Sequence, residues 1–111
     1  GTSIHHNFIH QTQGSSIAMR SSNVDIFQNL LTFSENPMVS VTNSSGADVY
    51  NNTLKYCSND SFIYVKYKNA YNNIVRNNEF WPITEKQNGT NSAIGVGPFT
   101  EDNGYLALSN F

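Results

Sequence analysis

Asp25 and Asp48 stand 23 residues apart, each between two apolar residues, in Val24-Asp25-Ile26 and Ala47-Asp48-Val49. If the two segments are equivalent strands on neighbouring layers, their carboxyls lie near one strand spacing apart. Hydrolysis of a glycoside by two carboxyls needs about 5 Å for retention or about 6.5–9.5 Å for inversion, so the pair is a candidate for that chemistry. The alternative is structural, because both residues follow turns, where Asp is common. Lys66, Lys68 and Arg76 are the cations that could act as base or neutralise a uronate carboxylate in a lyase. Trp81 and Lys55 form another combination: an aromatic face for the apolar side of a sugar ring, beside an ammonium for a carboxylate.

Metal chemistry has less to draw on. His5, His6 and His10 are close in sequence, but strand geometry is expected to send them to different sides, with no further soft ligand. Glu101-Asp102-Asn103-Gly104 offers oxygens suited to Ca²⁺ without the spacing of a complete loop. Glu79, Glu85, Glu101 and Asp102 gather late in the chain, where they could instead form the acidic side of a cleft.

The elements that must hold these residues are written as a repeat. Ile4-His5-His6-Asn7-Phe8-Ile9, Ile26-Phe27-Gln28-Asn29-Leu30-Leu31, Val49-Tyr50-Asn51-Asn52-Thr53-Leu54 and Val75-Arg76-Asn77-Asn78-Glu79-Phe80 all read aliphatic, two free positions, Asn, one free position, apolar. The Asn residues fall 22, 23 and 26 positions apart. A second pattern stays in phase with them: Ile17-x-Met19, Val39-x-Val41, Ile63-x-Val65 and Ile94-x-Val96. Apolar residues two apart are strand signals, and nothing recurs at helical spacing. A unit of about 22 residues with three short strands is one coil of a parallel β-helix, each strand pairing with its equivalent one coil on at roughly 4.8 Å.

The Asn-Asn-Thr-Leu and Arg-Asn-Asn-Glu-Phe steps, Asn51 to Leu54 and Arg76 to Phe80, resemble the right-handed parallel β-helix repeats of the pectate-lyase-like superfamily. The resemblance spans about Thr2 to Val96. It implies the fold but no single activity, since that superfamily includes lyases, hydrolases, epimerases, phage tailspikes and modules without catalysis. Ile63 to Phe80 is also similar to the coil of alginate- and chondroitin-type β-helix lyases that carries a catalytic Lys, with Lys68 in the matching place. Ser61 and Ile63, however, stand where that family has acidic Ca²⁺ ligands, and Ile94-Gly95-Val96-Gly97 lacks its Arg-His-Gly. The resemblance there implies scaffold rather than lyase.

The expected architecture is all-β: a right-handed, single-stranded parallel β-helix of about four to five coils, cut from a longer array. Coils are expected near 4–20, 21–43, 44–68 and 69–97, with inserted loops at 81–92 and 97–104 and an incomplete coil at 105–111. Handedness follows from the resemblance and the right-handedness of parallel crossovers. The inward residues are expected to include Ile4, Ile9, Ile17 and Met19, then Val24, Ile26, Leu31, Phe33, Val39 and Val41, then Val49, Leu54, Tyr56, Ile63 and Val65, and finally Val75, Phe80, Ile94 and Val96. Asn7, Asn29, Asn52 and Asn78 are expected to stack as a structural ladder. Cys57 shares a column with Thr12, Ser34 and Ile83 and reads as a packed thiol.

Three outward columns result: His5, Phe27, Tyr50 and Arg76; His10, Thr32, Lys55 and Trp81; and Arg20, Thr42 and Lys66, beside Ala18, Ser40, Tyr64 and Gly95. Trp81, Lys55, Tyr64, Lys66 and Arg76 are the candidate carbohydrate-binding residues. The alternative for Trp81 is packing under its own loop, with Lys55 solvated.

Of 111 residues only 13% are charged, the net charge is −2, and 38% are hydrophobic. No basic stripe is present to neutralise phosphates, which argues against nucleic acid as partner, and regularly placed apolar residues argue against disorder. No apolar run is long enough to span a membrane. The single Cys57 rules out an internal disulfide. Four sequons, at Asn43, Asn51, Asn59 and Asn88, are of a number that an Asn-rich chain supplies by chance.

The sequence therefore points to an extracellular, cell-surface or virion-surface module for polysaccharide recognition, needing no cofactor. Flanking β-helix coils or caps are expected partners. Two alternatives stay open: part of a carbohydrate-active enzyme, either lyase or glycosidase, and a structural shaft in which the aromatic columns are contacts of a homo-oligomer.

Overall fold

The structure, a computed structural model, describes residues 2–58, 61–66, 73–81, 92–96 and 106–109. These form thirteen short strands: β1 Thr2–His5, β2 Phe8–Thr12, β3 Ile17–Met19, β4 Val24–Phe27, β5 Leu30–Ser34, β6 Val39–Thr42, β7 Asp48–Tyr50, β8 Thr53–Cys57, β9 Ser61–Lys66, β10 Asn73–Arg76, β11 Glu79–Trp81, β12 Ser92–Val96 and β13 Leu106–Ser109. No helix occurs among the described residues.

Every third strand pairs in parallel with its equivalent, so the chain winds around three sheets. Their orders are β1-β4-β7-β10-β13, β11-β8-β5-β2 and β12-β9-β6-β3, here called the first, second and third sheet. This is a parallel β-solenoid. Three coils, β1 to β9, are described almost throughout, and a fourth is described by its strands β10 to β12.

The registers put like on like. Ile26 pairs with Val49, Leu31 with Leu54, and Val39 with Ile63. Because side chains alternate along each strand, that register sends one or two aliphatic residues per rung inward from each sheet. Ile26, Leu31, Val39, Val41, Leu54, Ile63, Val65 and Val75 are fully buried. Each contributes about 1.5–3 kcal/mol by leaving water.

The corners are where the chain departs from simple alternation. His6, Gln28, Asn51 and Asn77 have φ of 57°, 53°, 55° and 50°. Each lies just before a ladder Asn, where the chain turns from a strand of the first sheet into one of the second. A left-handed L-residue costs about 1–2 kcal/mol, and coil-to-coil bonds offset it. Leu30 N donates to Asn7 O (2.8 Å), Thr53 N to Asn29 O (2.9 Å) and Glu79 N to Asn52 O (2.8 Å).

The Asn side chains complete the corner. Asn29 Oδ1 accepts from the Asn7 main-chain N and Nδ2, both at 3.1 Å. Asn52 Oδ1 does the same for Asn29 (3.0 and 2.9 Å), and Asn78 Oδ1 for Asn52 (2.9 and 3.0 Å). The Nδ2 groups of Asn29, Asn52 and Asn78 also donate inward to the carbonyls of Ile4, Ile26 and Val49. A second buried amide, Asn73, closes another corner, accepting from Ala47 N (3.0 Å) and donating to Ser44 O (2.9 Å). At that corner Gly46 has φ +70°, and a Cβ there would run into the Asn23 side-chain oxygen.

Two inward assignments need correction. Phe33 is 49% exposed and Tyr56 only partly buried, while Ser34 and Cys57 are buried in their stead. The cause is a left-handed kink near the end of β2, β5 and β8, at Gln11 (φ 58°), Phe33 (φ 57°) and Tyr56 (φ 67°). One residue out of phase turns the next side chain inward, as a bulge does. Ser34 Oγ is satisfied there, with Gly14 O (3.1 Å) and Asn36 O (2.6 Å) both within reach of its single proton.

Candidate functional site

The outward columns expected from the repeat are those the strands form. On the first sheet His5 pairs with Phe27, Phe27 with Tyr50, and Tyr50 with Arg76. At rung spacing such side chains stack. The His5 and Phe27 rings lie 4.8 Å apart at 5°, and Phe27 and Tyr50 5.0 Å apart at 9°. The Arg76 guanidinium covers Tyr50 with its Cζ 4.1 Å from the ring centre.

Asp25 and Asp48 are direct register partners on this sheet. Asp48 is already engaged: Arg76 Nε donates to Oδ1 (3.0 Å) and Nη2 to Oδ2 (2.9 Å). Hydrogen bonding to Asp48 raises the Arg76 pKa further above its ordinary value, so the guanidinium stays charged. Cation and carboxylate therefore answer each other within the column. Both oxygens of Asp48 face an Arg, whereas two-carboxyl hydrolysis needs an oxygen facing substrate or water.

The histidines differ from the expected arrangement. The left-handed turn at His6 swings its ring against His5, with the two Nδ1 atoms 2.6 Å apart, while His10 bonds Thr32 Oγ1 at 2.6 Å on the second sheet. Among the described residues no three His, Cys, Asp or Glu side chains converge as metal ligands would. Glu85, Glu101 and Asp102 lie outside the described residues, as do Lys68, Ile83, Asn59 and Asn88.

On the second sheet, the column His10, Thr32, Lys55 and Trp81 is formed in register. Thr32 is buried beneath its neighbours, and Lys55 Nζ lies 4.8 Å from the Trp81 ring centre. Trp81 Nε1 donates to the Glu79 carboxylate, which fixes the indole, and the residue stays 44% exposed. In the parallel column Phe8 pairs with Leu30, and both are exposed, Phe8 by 66%. The segment 82–91, which the alternative reading of Trp81 invokes, lies outside the described residues.

The kink adds two aromatic residues that the alternating pattern had assigned to the core. His10 and Phe33 rings meet edge to face at 5.3 Å, while Phe33 and Tyr56 at 5.1 Å and Phe8 and His10 at 5.7 Å are tilted by 36°. An aromatic strip thus crosses three coils. Beside it Phe33 and Tyr56 line an open groove of about 300 Å³ with Gln11, Gln13, Glu35 and Ser58. The sequence holds a signal for it: in the described coils the column residues Thr12, Ser34 and Cys57 are small, as inward corner positions require.

No family model, curated protein or solved structure matches the chain. Function has to be argued from the faces themselves.

The third sheet carries Ala18, Ser40, Tyr64 and Gly95 in one column and Thr42 beside Lys66 in the next. Ser40 and Thr42 hydroxyls bond each other at 3.2 Å, and Arg20 is exposed just past β3. The five candidate carbohydrate residues are therefore spread over three faces: Arg76 on the first, Lys55 and Trp81 on the second, Tyr64 and Lys66 on the third. Lys55 and Trp81 are brought together.

Proposed function

We propose that this chain is a polysaccharide-recognition module of an extracellular, cell or virion surface, built on a right-handed β-helix of the pectate-lyase-like kind. The observation that carries the reading is the second sheet's outer face, where Trp81 is held edge-on by Glu79, lies under Lys55 and remains exposed. A sugar ring presents apolar C–H groups to an indole and, in a uronic acid, a carboxylate to the ammonium beside it. Rigid strands suit such a site, because little ordering entropy is lost on binding. Lys55 and Trp81 are the binding pair; Arg76, matched by Asp48, belongs to the scaffold.

The test is a glycan array on wild type and a Trp81→Ala/Lys55→Ala double variant. Binding by wild type that the variant loses supports the reading. A folded wild type that binds no glycan overturns it.

The shaft reading draws on the same exposed Phe8, Leu30 and Phe33, which a subunit contact would cover. Light scattering that gives a trimer or filament, dissociated by Phe8→Ser, favours that reading. Enzymatic breakdown of a bound glycan, followed by mass, separates the carbohydrate-active enzyme from both.

A further inference from the structure

The left-handed backbone positions of this solenoid are mostly filled as physics prefers. Asn23, Asn43, Asn51, Asn77 and Gly46 are among them, and Asn and Gly tolerate that conformation best. Gln11, Gln28, Phe33 and Tyr56 are the exceptions, and of these Phe33 and Tyr56 are the bulkiest. A bulky aromatic residue is among the poorest choices there, and at this kink Gln11 serves in the first coil. Folding gains little from Phe33, whose ring is half exposed.

What the two aromatic residues do gain is a position over the groove. We infer that the groove between Phe33 and Tyr56, with Gln11, Gln13, Glu35 and Ser58, is a second glycan subsite that binds a neutral pyranose unit. The inference rests on the polysaccharide reading and names a separate place and sugar class within it. The rings offer apolar faces to sugar C–H groups. The amides of Gln11 and Gln13 both donate and accept, as sugar hydroxyls require.

The charge at the groove selects the sugar. Among the described lining residues Glu35 is the charged side chain, and no Lys or Arg joins it. A uronate, sulfate or phosphate placed there would face a carboxylate, whereas Lys55, one residue before Tyr56, is directed to Trp81. The groove volume of about 300 Å³ is at the small end of ligand sites, as one or two sugar units need. Its walls are held by the fold: Glu35 N donates to Thr12 O (3.1 Å), Ser58 N to Ser34 O (2.9 Å), and Asn36 Nδ2 to Gln13 O (2.5 Å).

The experiment uses the full chain on an array of neutral glucans, galactans and mannans together with uronans. Five proteins are compared: wild type, Phe33→Asn, Gln13→Ala, Glu35→Gln and Trp81→Ala. Phe33→Asn suits the left-handed backbone, so it is expected to melt no lower than wild type while losing neutral-glycan binding by about tenfold or more. Gln13→Ala, on an exposed residue whose main-chain carbonyl alone serves the fold, is expected to weaken the same ligands. Glu35→Gln is expected to keep neutral glycans and gain uronans.

Neutral-glycan binding unchanged in both Phe33→Asn and Gln13→Ala, but lost in Trp81→Ala, overturns the groove and leaves the polysaccharide reading standing. Wild type that binds uronans alone also overturns the groove. Wild type that is folded and binds no glycan overturns both.

Discussion

The first and second sheets each carry a column of aromatic and cationic side chains, but among the described residues only the first column's cation is paired with a carboxylate. On the first, Arg76 spends its donors on Asp48 and its flat face on Tyr50, and Tyr50, Phe27 and His5 cover one another. On the second, the Trp81 face and the Phe33 edge keep nearly half their surface exposed. The difference teaches that residue types alone do not mark a site. Aromatic residues beside cations occur in both columns, and what separates them, among the described residues, is whether the cation already has a carboxylate partner inside the fold.

The comparison is sharpened by variants that separate stability from binding. The largest effect is expected from Leu31→Asp or Val65→Asp, which put an unpaired charge into the core that both faces share. Neither variant is expected to fold, as judged by circular dichroism. A soluble, cooperatively melting product would contradict the coil assignment.

Asn52→Ala comes next. It removes a buried amide that accepts from Asn29 and donates to Ile26 O and Asn78, leaving buried partners unsatisfied. A loss of about 2–4 kcal/mol in urea unfolding is expected, since an orphaned buried polar group costs about 1–3 kcal/mol. Gly46→Ala should lose somewhat less, about 1–2 kcal/mol from the left-handed backbone, with a further loss from contact with Asn23.

On the first face, Asp48→Asn is expected to lower stability by at most about 1 kcal/mol, because the ion pair with Arg76 is partly exposed. Glycan binding should be unchanged. The smallest effect concerns pH. The Arg76 pKa is raised in the folded state, so its contribution is complete below its ordinary value and lost only on the strongly alkaline side. A melting temperature that falls between pH 7 and 10 because of Arg76, and so is restored to a flat profile by Arg76→Gln, would contradict that sign.

Much of this was legible from spacing alone. The columns His5 to Arg76 and His10 to Trp81, the Asn ladder and the adjacency of Asp25 and Asp48 all follow from one fact, the equal phase of successive coils. Phe33 and Tyr56 were misplaced because an apolar residue two positions after Leu31 or Leu54 satisfies the alternation as well as a true inward residue does. Pattern carries no mark of the sign of φ. The small column Thr12, Ser34 and Cys57 was the available correction, since a corner that turns inward leaves room for small side chains. The meeting of His5 with His6 was hidden for the same reason, and Asn73 because its equivalents in other coils are not Asn.

The most direct test of the central claim is a paired glycan array in which the second face is altered by Trp81→Ala/Lys55→Ala and the first by Tyr50→Ala/Arg76→Ala. The account expects wild-type binding that survives the first-face variant and falls about tenfold or more in the second-face variant, with both proteins folded. Binding lost from the first-face variant and kept by the second-face variant, or no binding by folded wild type, would contradict it.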